Sequence, residues 1–391
     1  MGRICIPDWE YQERIKKAAK LVAARGLDAM LVVSTESDYA NARYFSGFWP
    51  LFERAGVLIS ATGDAALLVG PESPVFAKDV SKIEKIFVLR EFRESADPAY
   101  PELVPSTFQD AFKAIGVTGE NIKIGLGSYV ECTLPIYEGL KDAYPKAEIV
   151  RCNDIMVELR QIKSENELAC IREGFRIVEI ATDEVIKALK PGVTELQMVG
   201  VAQRVIYENG AEYEGLPMYV FSESSTRHAI SRSTYKQIGK NDIVQLNLSA
   251  KIDGYSPAIG LPVCMGKLEG ERRDIVEFCL KMHDWTESQL KAGIPASQVP
   301  KQFLQMFKDA GYEKNYVYGP CHGTGMIEVE PAWMETSSNY TLQENMTFQI
   351  DTFIAGDTFG CRWEKGIAIK ENGCESYTDY LKKGIIELGF N

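Results

Sequence analysis

Six short apolar runs punctuate the first 153 residues: AMLVVS (29–34), GVLISA (56–61), AALLVG (65–70), KIFVLR (85–90), IKIGLG (122–127) and AEIVRC (147–152). Runs this short and this continuous predict buried strands. The amphipathic stretch RIKKAAKLVAARG (14–26) predicts a helix that ends near Gly26. Strands interleaved with helical segments give an α/β domain over residues 1–153.

The pattern then changes. Residues 156–213 carry two long helical periodicities, each with a start signal. Ser164 with Glu167, and Thr194 with Gln197, have the spacing of a capping box, in which a hydroxyl takes the N3 amide and the N3 side chain returns to the cap amide. Pro191 and Gly192 break the first helix, and Gly210 ends the second. Beyond residue 215 strand patterns dominate in DIVQLNLSAKIDGY, NMTFQIDTFIAG and KGIAIK, around the helical GERRDIVEFCLKMHDWTESQLKAG. The second domain, 154–391, is expected to be α+β. No repeat with a period of 20 to 50 residues is visible, which argues against solenoids and propellers.

Composition narrows the partners. A formal charge of −12 over 391 residues, with no cluster of Lys and Arg, disfavours a nucleic-acid surface. A small-molecule substrate is expected instead. The N-terminus has no apolar signal region, and no window approaches the roughly 18 apolar residues of a membrane span, so the expected location is the cytoplasm. Nine cysteines with no CxxC pair are expected to be reduced. Cys321, beside His322, is the one thiol considered as a nucleophile, and a small buried residue is the better reading.

Six blocks in order, LRQIKSENELACIREG, His228, DIVQLNLSAKIDGYSPAIG, CHGTG, MTFQIDTF and RWEKGIAI, together resemble the catalytic domain of the pita-bread (M24) aminopeptidase and creatinase family. The first domain is similar to the creatinase-type N-terminal domain that accompanies it. The resemblance implies a pita-bread catalytic domain preceded by a smaller α/β domain, and a homodimer in which the N-terminal domain reaches the neighbour's active site.

In metal-dependent members, two Asp, a His and two Glu bridge two divalent ions, since hard cations need anionic oxygens. Carried over, the first Asp falls on Asn247 and the second on Ala258, the His on His322, the first Glu on the shorter Asp351 and the last on Glu364. An alanine cannot ligate, and an amide lacks the charge that holds a divalent ion. The resemblance therefore narrows to the metal-independent branch of creatinases and ectoine hydrolases, and no cofactor is expected. If a single metal is retained, its ligands would be His322, Asp351 and Glu364.

On that resemblance His228 is the general base and acid, a role suited to an imidazole with an ordinary pKa near 6.5. Glu364, Asp351 and His322 would complete the catalytic set. Tyr255, Asn247 and, from the neighbouring subunit, Phe52 and Arg54 would bind substrate, with Arg54 forking onto a carboxylate. His283 is read as structural. Two departures count against creatine itself: Gly260 stands where the family has a guanidinium-gripping Glu, and Trp333 where it has a carboxylate-binding Arg. Glu328, Glu330 and Glu223 lie near motif residues and are considered as substitutes for the lost acid, though each is read first as a solvated or structural acid.

The expected function is metal-independent hydrolysis of a non-peptide carbon–nitrogen bond in a small amidine or guanidine carboxylate. Two alternatives stand beside it. One is a metallopeptidase for Xaa-Pro peptides with a reduced metal site, and the other is a non-catalytic binding protein of the same fold.

Overall fold

A computed structural model describes residues 3–390. It divides into two compact units, one of residues 6–160 and one running from Gln161 onward together with the few residues before Ile6. The division at Arg160/Gln161 lies beyond the expected 153/154, because the helix Asn153–Arg160 packs with the N-terminal unit.

The first unit alternates α1 (Asp8–Ala24), β1 (Ala29–Ser34), α2 (Ala40–Ser46), β2 (Ala55–Ser60), β3 (Ala65–Val69), α3 (Pro74–Val80) and β4 (Ile86–Val88). It continues with α4 (Phe108–Ala114), β5 (Lys123–Leu126), α5 (Leu134–Ala143), β6 (Glu148–Arg151) and α6 (Asn153–Arg160). All six apolar runs become strands of one sheet, in the order β4-β3-β2-β1-β5-β6. The central strand β1 is parallel to β5 and antiparallel to β2, and every one of its residues is buried, as a continuous apolar run requires.

The second unit opens with α7 (Glu165–Ala188) and α8 (Glu195–Glu208). Both capping boxes form: Glu167 N–H donates to Ser164 Oγ at 3.2 Å and Gln197 N–H to Thr194 Oγ1 at 3.1 Å, with the reciprocal bonds at 2.6 and 2.8 Å. Then follow β7 (Tyr219–Ser222), β8 (Ile243–Ser249), β9 (Ala258–Cys264), α9 (Gly270–Gln289), α10 (Gln298–Asp309), β10 (Cys321–Gly323) and β11 (Glu330–Met334). The long hairpin β12 (Thr347–Ala355) and β13 (Gly360–Lys370), then β14 (Gly373–Ser376) and β15 (Ile386–Glu387), complete it.

These strands make a nine-stranded sheet with the path β11-β10-β12-β13-β9-β8-β7. Its register places the site. Asp351 of β12 lies opposite Glu364 of β13, Glu364 opposite Gly260 of β9, and Gly260 opposite Asn247 of β8. His322 of β10 lies opposite Gln349, two residues before Asp351 and so on the same face. The other face carries Trp363, whose indole N–H donates to the Val276 carbonyl of α9 at 3.3 Å. No described helix is long and apolar enough to cross a membrane.

Candidate active site

One row across four strands thus brings Asn247, Gly260, Glu364 and Asp351 side by side, with His322 and Gln349 in the adjoining row. The side chains of Asn247, His322, Asp351 and Glu364 line a cavity of about 930 Å³. Its lining includes His322, Glu328, Asp351, Arg362, Glu364 and Asn247, and its walls are largely apolar: Leu216, Pro217, Ile230, Val317, Val329 and Trp333. Every lining residue belongs to the second unit.

Three buried side chains converge there. His322 Nε2 lies 3.6 Å from Glu328 Oε1 and 3.8 Å from Glu364 Oε1. The three ligand atoms lie within 4.8 Å of one another, a grouping able to hold a metal ion. Burial pushes the Glu364 carboxyl well above its ordinary range, and the charges of Asp351 and Glu328 add to the effect. Burial raises Glu328 too, again with Asp351 adding to it. Two buried carboxylates this close repel each other unless a proton or a cation lies between them.

Neutral amides orient both acids. Asn247 Nδ2 donates to Glu364 Oε2 at 2.6 Å, and Gln245 Nε2 donates to Asn247 Oδ1 at 3.2 Å. Gln349 Nε2 approaches Glu328 Oε1 at 3.4 Å and donates to the Ala258 carbonyl at 2.9 Å. Gly260 has to be glycine for this packing: a Cβ there would stand 2.8 Å from Glu364 Cβ and 2.9 Å from Asn247 Nδ2. The acid missing at this position thus reflects a lack of room.

Asp351 stands outside this cluster, unlike the set of His322, Asp351 and Glu364 expected if a single metal is retained. Arg362 Nε pairs with its Oδ1 at 2.9 Å, and the Tyr318 hydroxyl donates to its Oδ2 at 2.7 Å. Glu328 stands with His322 and Glu364 instead. Burial alone would depress the Arg362 guanidinium, but Asp351, Tyr219 and Tyr318 hold its pKa well above the ordinary value. It donates to the Tyr219 hydroxyl, to the Ala229 carbonyl at 2.9 Å and to the Tyr318 hydroxyl at 2.6 Å.

Other expected residues lie elsewhere. His228 is exposed at the end of the turn Glu223–Arg227 and is absent from the cavity wall, although the next four positions include Ala229, Ile230, Ser231 and Arg232, all of which line it. Tyr255 is fully buried and its hydroxyl is spent on Glu167 Oε1 at 2.6 Å, so it does not face substrate. Phe52 and Arg54 belong to the first unit, where Phe52 is exposed at φ 60° and Arg54 donates to the Arg93 carbonyl at 2.9 Å.

Among the acids considered as substitutes, Glu330 lies 3.5 Å from Lys163 and Glu223 pairs with Arg272 at 2.8 Å; both are structural. Glu328 is not. A local signal for it exists in the sequence, since Glu328 lies six residues after His322 and just before a strand, but nothing local says which way it turns. Trp333 places its ring 5.3 Å from that of His322. Cys321 is fully buried, which raises its thiol well above the ordinary range and argues against a nucleophile.

Comparison with known proteins gives the chain its context. Residues 169–371 match "Metallopeptidase family M24" and residues 14–162 match "Creatinase/Prolidase N-terminal domain". The chain is 24% identical over 371 residues to the Xaa-Pro dipeptidase of Pyrococcus furiosus, covering 94% of this chain and 98% of that protein. It is 22% identical over 400 residues to the creatinase of a Bacillus species, covering 96% and 92%. The fold is shared with the X-Pro aminopeptidase of Thermotoga maritima, at 21% identity and a TM-score of 0.82 over 95% of this chain and 99% of that one. It is shared as well with the prolidase of Pyrococcus horikoshii, at 22% and 0.80 over 94% and 98%.

Two expectations are corrected by these matches. Full-length similarity to Xaa-Pro dipeptidases overturns the reading as a metal-independent amidine or guanidine hydrolase. The match to a metallopeptidase family overturns the expectation of no cofactor, and His322, Glu328 and Glu364 are a donor set that fits one.

Proposed function

The chain belongs to metallopeptidase family M24, and on that premise we propose that it is a metal-dependent hydrolase of short peptides with Xaa-Pro dipeptides as the substrate class. One observation carries the reading: an imidazole and two carboxylates converge in a cavity whose walls are largely apolar. Leu216, Val317, Val329 and Trp333 offer a compact imino-acid ring a surface to bury against.

His322, Glu328 and Glu364 would hold the ion. When bound, a divalent ion supplies the positive charge that activates water and offsets the charge developing on the amide oxygen. The remaining work falls to this chain's own groups. Asn247 and Gln349 hold the two carboxylates in place, and Gly260 leaves room for that arrangement. Trp333 covers His322 and limits water on that side. Arg232, exposed and part of the cavity lining, is placed to meet a substrate carboxylate. We place Phe52 and Arg54 of a second copy at the cavity mouth of a homodimer; size-exclusion with light scattering tests the dimer, and a monomer at working concentration would exclude this placement.

The functional test incubates the protein with Mn(II), Co(II) or Zn(II) and a panel of Xaa-Pro dipeptides, with free proline as the readout. Cleavage is expected with at least one metal, lost on chelation and restored on return of the ion. No proline release with any of the three would overturn the reading.

A further inference from the structure

We infer that the cavity is built for one divalent ion per chain, held by His322, Glu328 and Glu364, and that the Arg362 guanidinium takes the place a second ion would need beside Asp351. The inference rests on the metallopeptidase reading and fixes the number of ions that reading requires.

His322 Nδ1 lies 3.0 Å from the Gly323 carbonyl, so in the neutral ring the proton sits on Nδ1 and the Nε2 lone pair points into the cavity. That lone pair meets carboxylate oxygens of Glu328 and Glu364 at 3.6 and 3.8 Å. Both distances are too long for hydrogen bonds. They are close to the spacing of ligands around a single ion: tetrahedral ligands ~2.0–2.2 Å from a zinc-sized centre stand roughly 3.3–3.6 Å apart. The ring is buried to 2% exposure, and Glu364 likewise.

At the neighbouring positions no anionic oxygen stands clear of both a positive charge and a donor. Asn247 presents its amide N–H to Glu364, Ala258 has only a methyl, and Gly260 has no side chain. Asp351 Oδ1 lies 2.9 Å from Arg362 Nε in an ion pair without hydrogen-bond alignment, and its Oδ2 accepts from the Tyr318 hydroxyl at 2.7 Å. Arg362 keeps its charge at any accessible pH, and at 7% exposure it cannot turn to water. To ligate a second ion, Asp351 would have to leave a guanidinium buried without its counter-charge, and that ion would sit beside a fixed positive charge. With a buried guanidinium fixed beside Asp351 and one three-ligand cluster, the cavity takes one divalent ion.

The test uses the full chain, stripped with chelator and titrated with Mn(II) by calorimetry, with bound metal counted by mass spectrometry and its environment read by electron paramagnetic resonance. One ion per chain with the six-line signal of isolated Mn(II) is expected. Glu328→Gln, checked for folding by circular dichroism, is expected to weaken binding by about 100-fold or more, beyond the cost of losing an outer partner. Two ions per chain, a spin-coupled spectrum, binding by Glu328→Gln at the parent affinity, or no binding at all would each overturn the proposal. The wild-type count and spectrum decide the matter even if the variant fails to fold. One ion bound with Xaa-Pro dipeptides left intact removes the functional reading and keeps this one; two ions with dipeptides cleaved does the reverse.

Discussion

Asn247 donates its side-chain N–H to Glu364 at 2.6 Å, so the residue that departs from the family's acidic pattern is bound to the acid that is kept. Both are buried and belong to strands on either side of β9. The amide leaves Glu364 Oε1 facing His322 and holds the carboxylate without adding a second charge. Asn247→Ala is expected to lower metal affinity by about 10–100-fold and to cost about 1–3 kcal/mol for the donor lost inside the protein. Mn(II) titration and chemical unfolding measure the two effects, and parent affinity in the variant would show that Glu364 needs no such support.

Gly260→Ala tests the spacing behind that contact. The added methyl would stand 2.8 Å from Glu364 Cβ, and both neighbours are strand residues with little freedom to move. A loss of about 1–3 kcal/mol in stability is expected from overpacking, with metal affinity falling as Glu364 is displaced. Stability and affinity both unchanged would mean that the sheet yields at this point.

The two histidines separate by position. His322→Ala removes a buried group at the cluster and is expected to lower turnover by about 100-fold or more, beyond the 10–100-fold cost of an outer partner. His228 is exposed beside the cavity, so His228→Ala is expected to cost well under the roughly 100-fold that a general base contributes. Steady-state kinetics on one Xaa-Pro dipeptide measure both. A loss of 100-fold in the His228 variant would return it to the role of base.

His283 gives a prediction about stability and pH. It is wholly buried in α9, neither ring nitrogen has a hydrogen-bond partner, and the nearest acid, Asp284, lies 3.5 Å away. Burial lowers its pKa below the ordinary value of 6.5; Asp284 opposes that shift, while Lys365 reinforces it. A base depressed in the folded state leaves the unfolded chain binding more protons as pH falls, so its contribution to stability is full above the unfolded pKa and is lost below it. Thermal unfolding between about pH 7.5 and about pH 5 should show a shallower decline in His283→Leu than in the parent. Equal slopes would show that another group sets the acid limb.

Much of the architecture was legible in sequence for a local reason. Continuous apolar runs such as AMLVVS can only be satisfied by burial on both faces, and Ser164 and Thr194 carry their capping partners three residues away. The motif around Tyr255 gives its neighbours but not the acid, Glu167, that its hydroxyl meets. Asp351 poses the same problem. Nothing near it in sequence announces that Arg362, from the next strand, pairs with it.

By itself, the sequence determined the two-domain order, the strand and helix content, and the loss of anionic oxygens at Asn247 and Ala258, since these follow from residue identity and short-range periodicity. Only the tertiary structure decided which acids share a site. That choice depends on strand register, which sets Asn247, Gly260, Glu364 and Asp351 in one row. It depends as well on competition for charge within a buried space, where Arg362 takes Asp351 and leaves Glu328 and Glu364 to face His322.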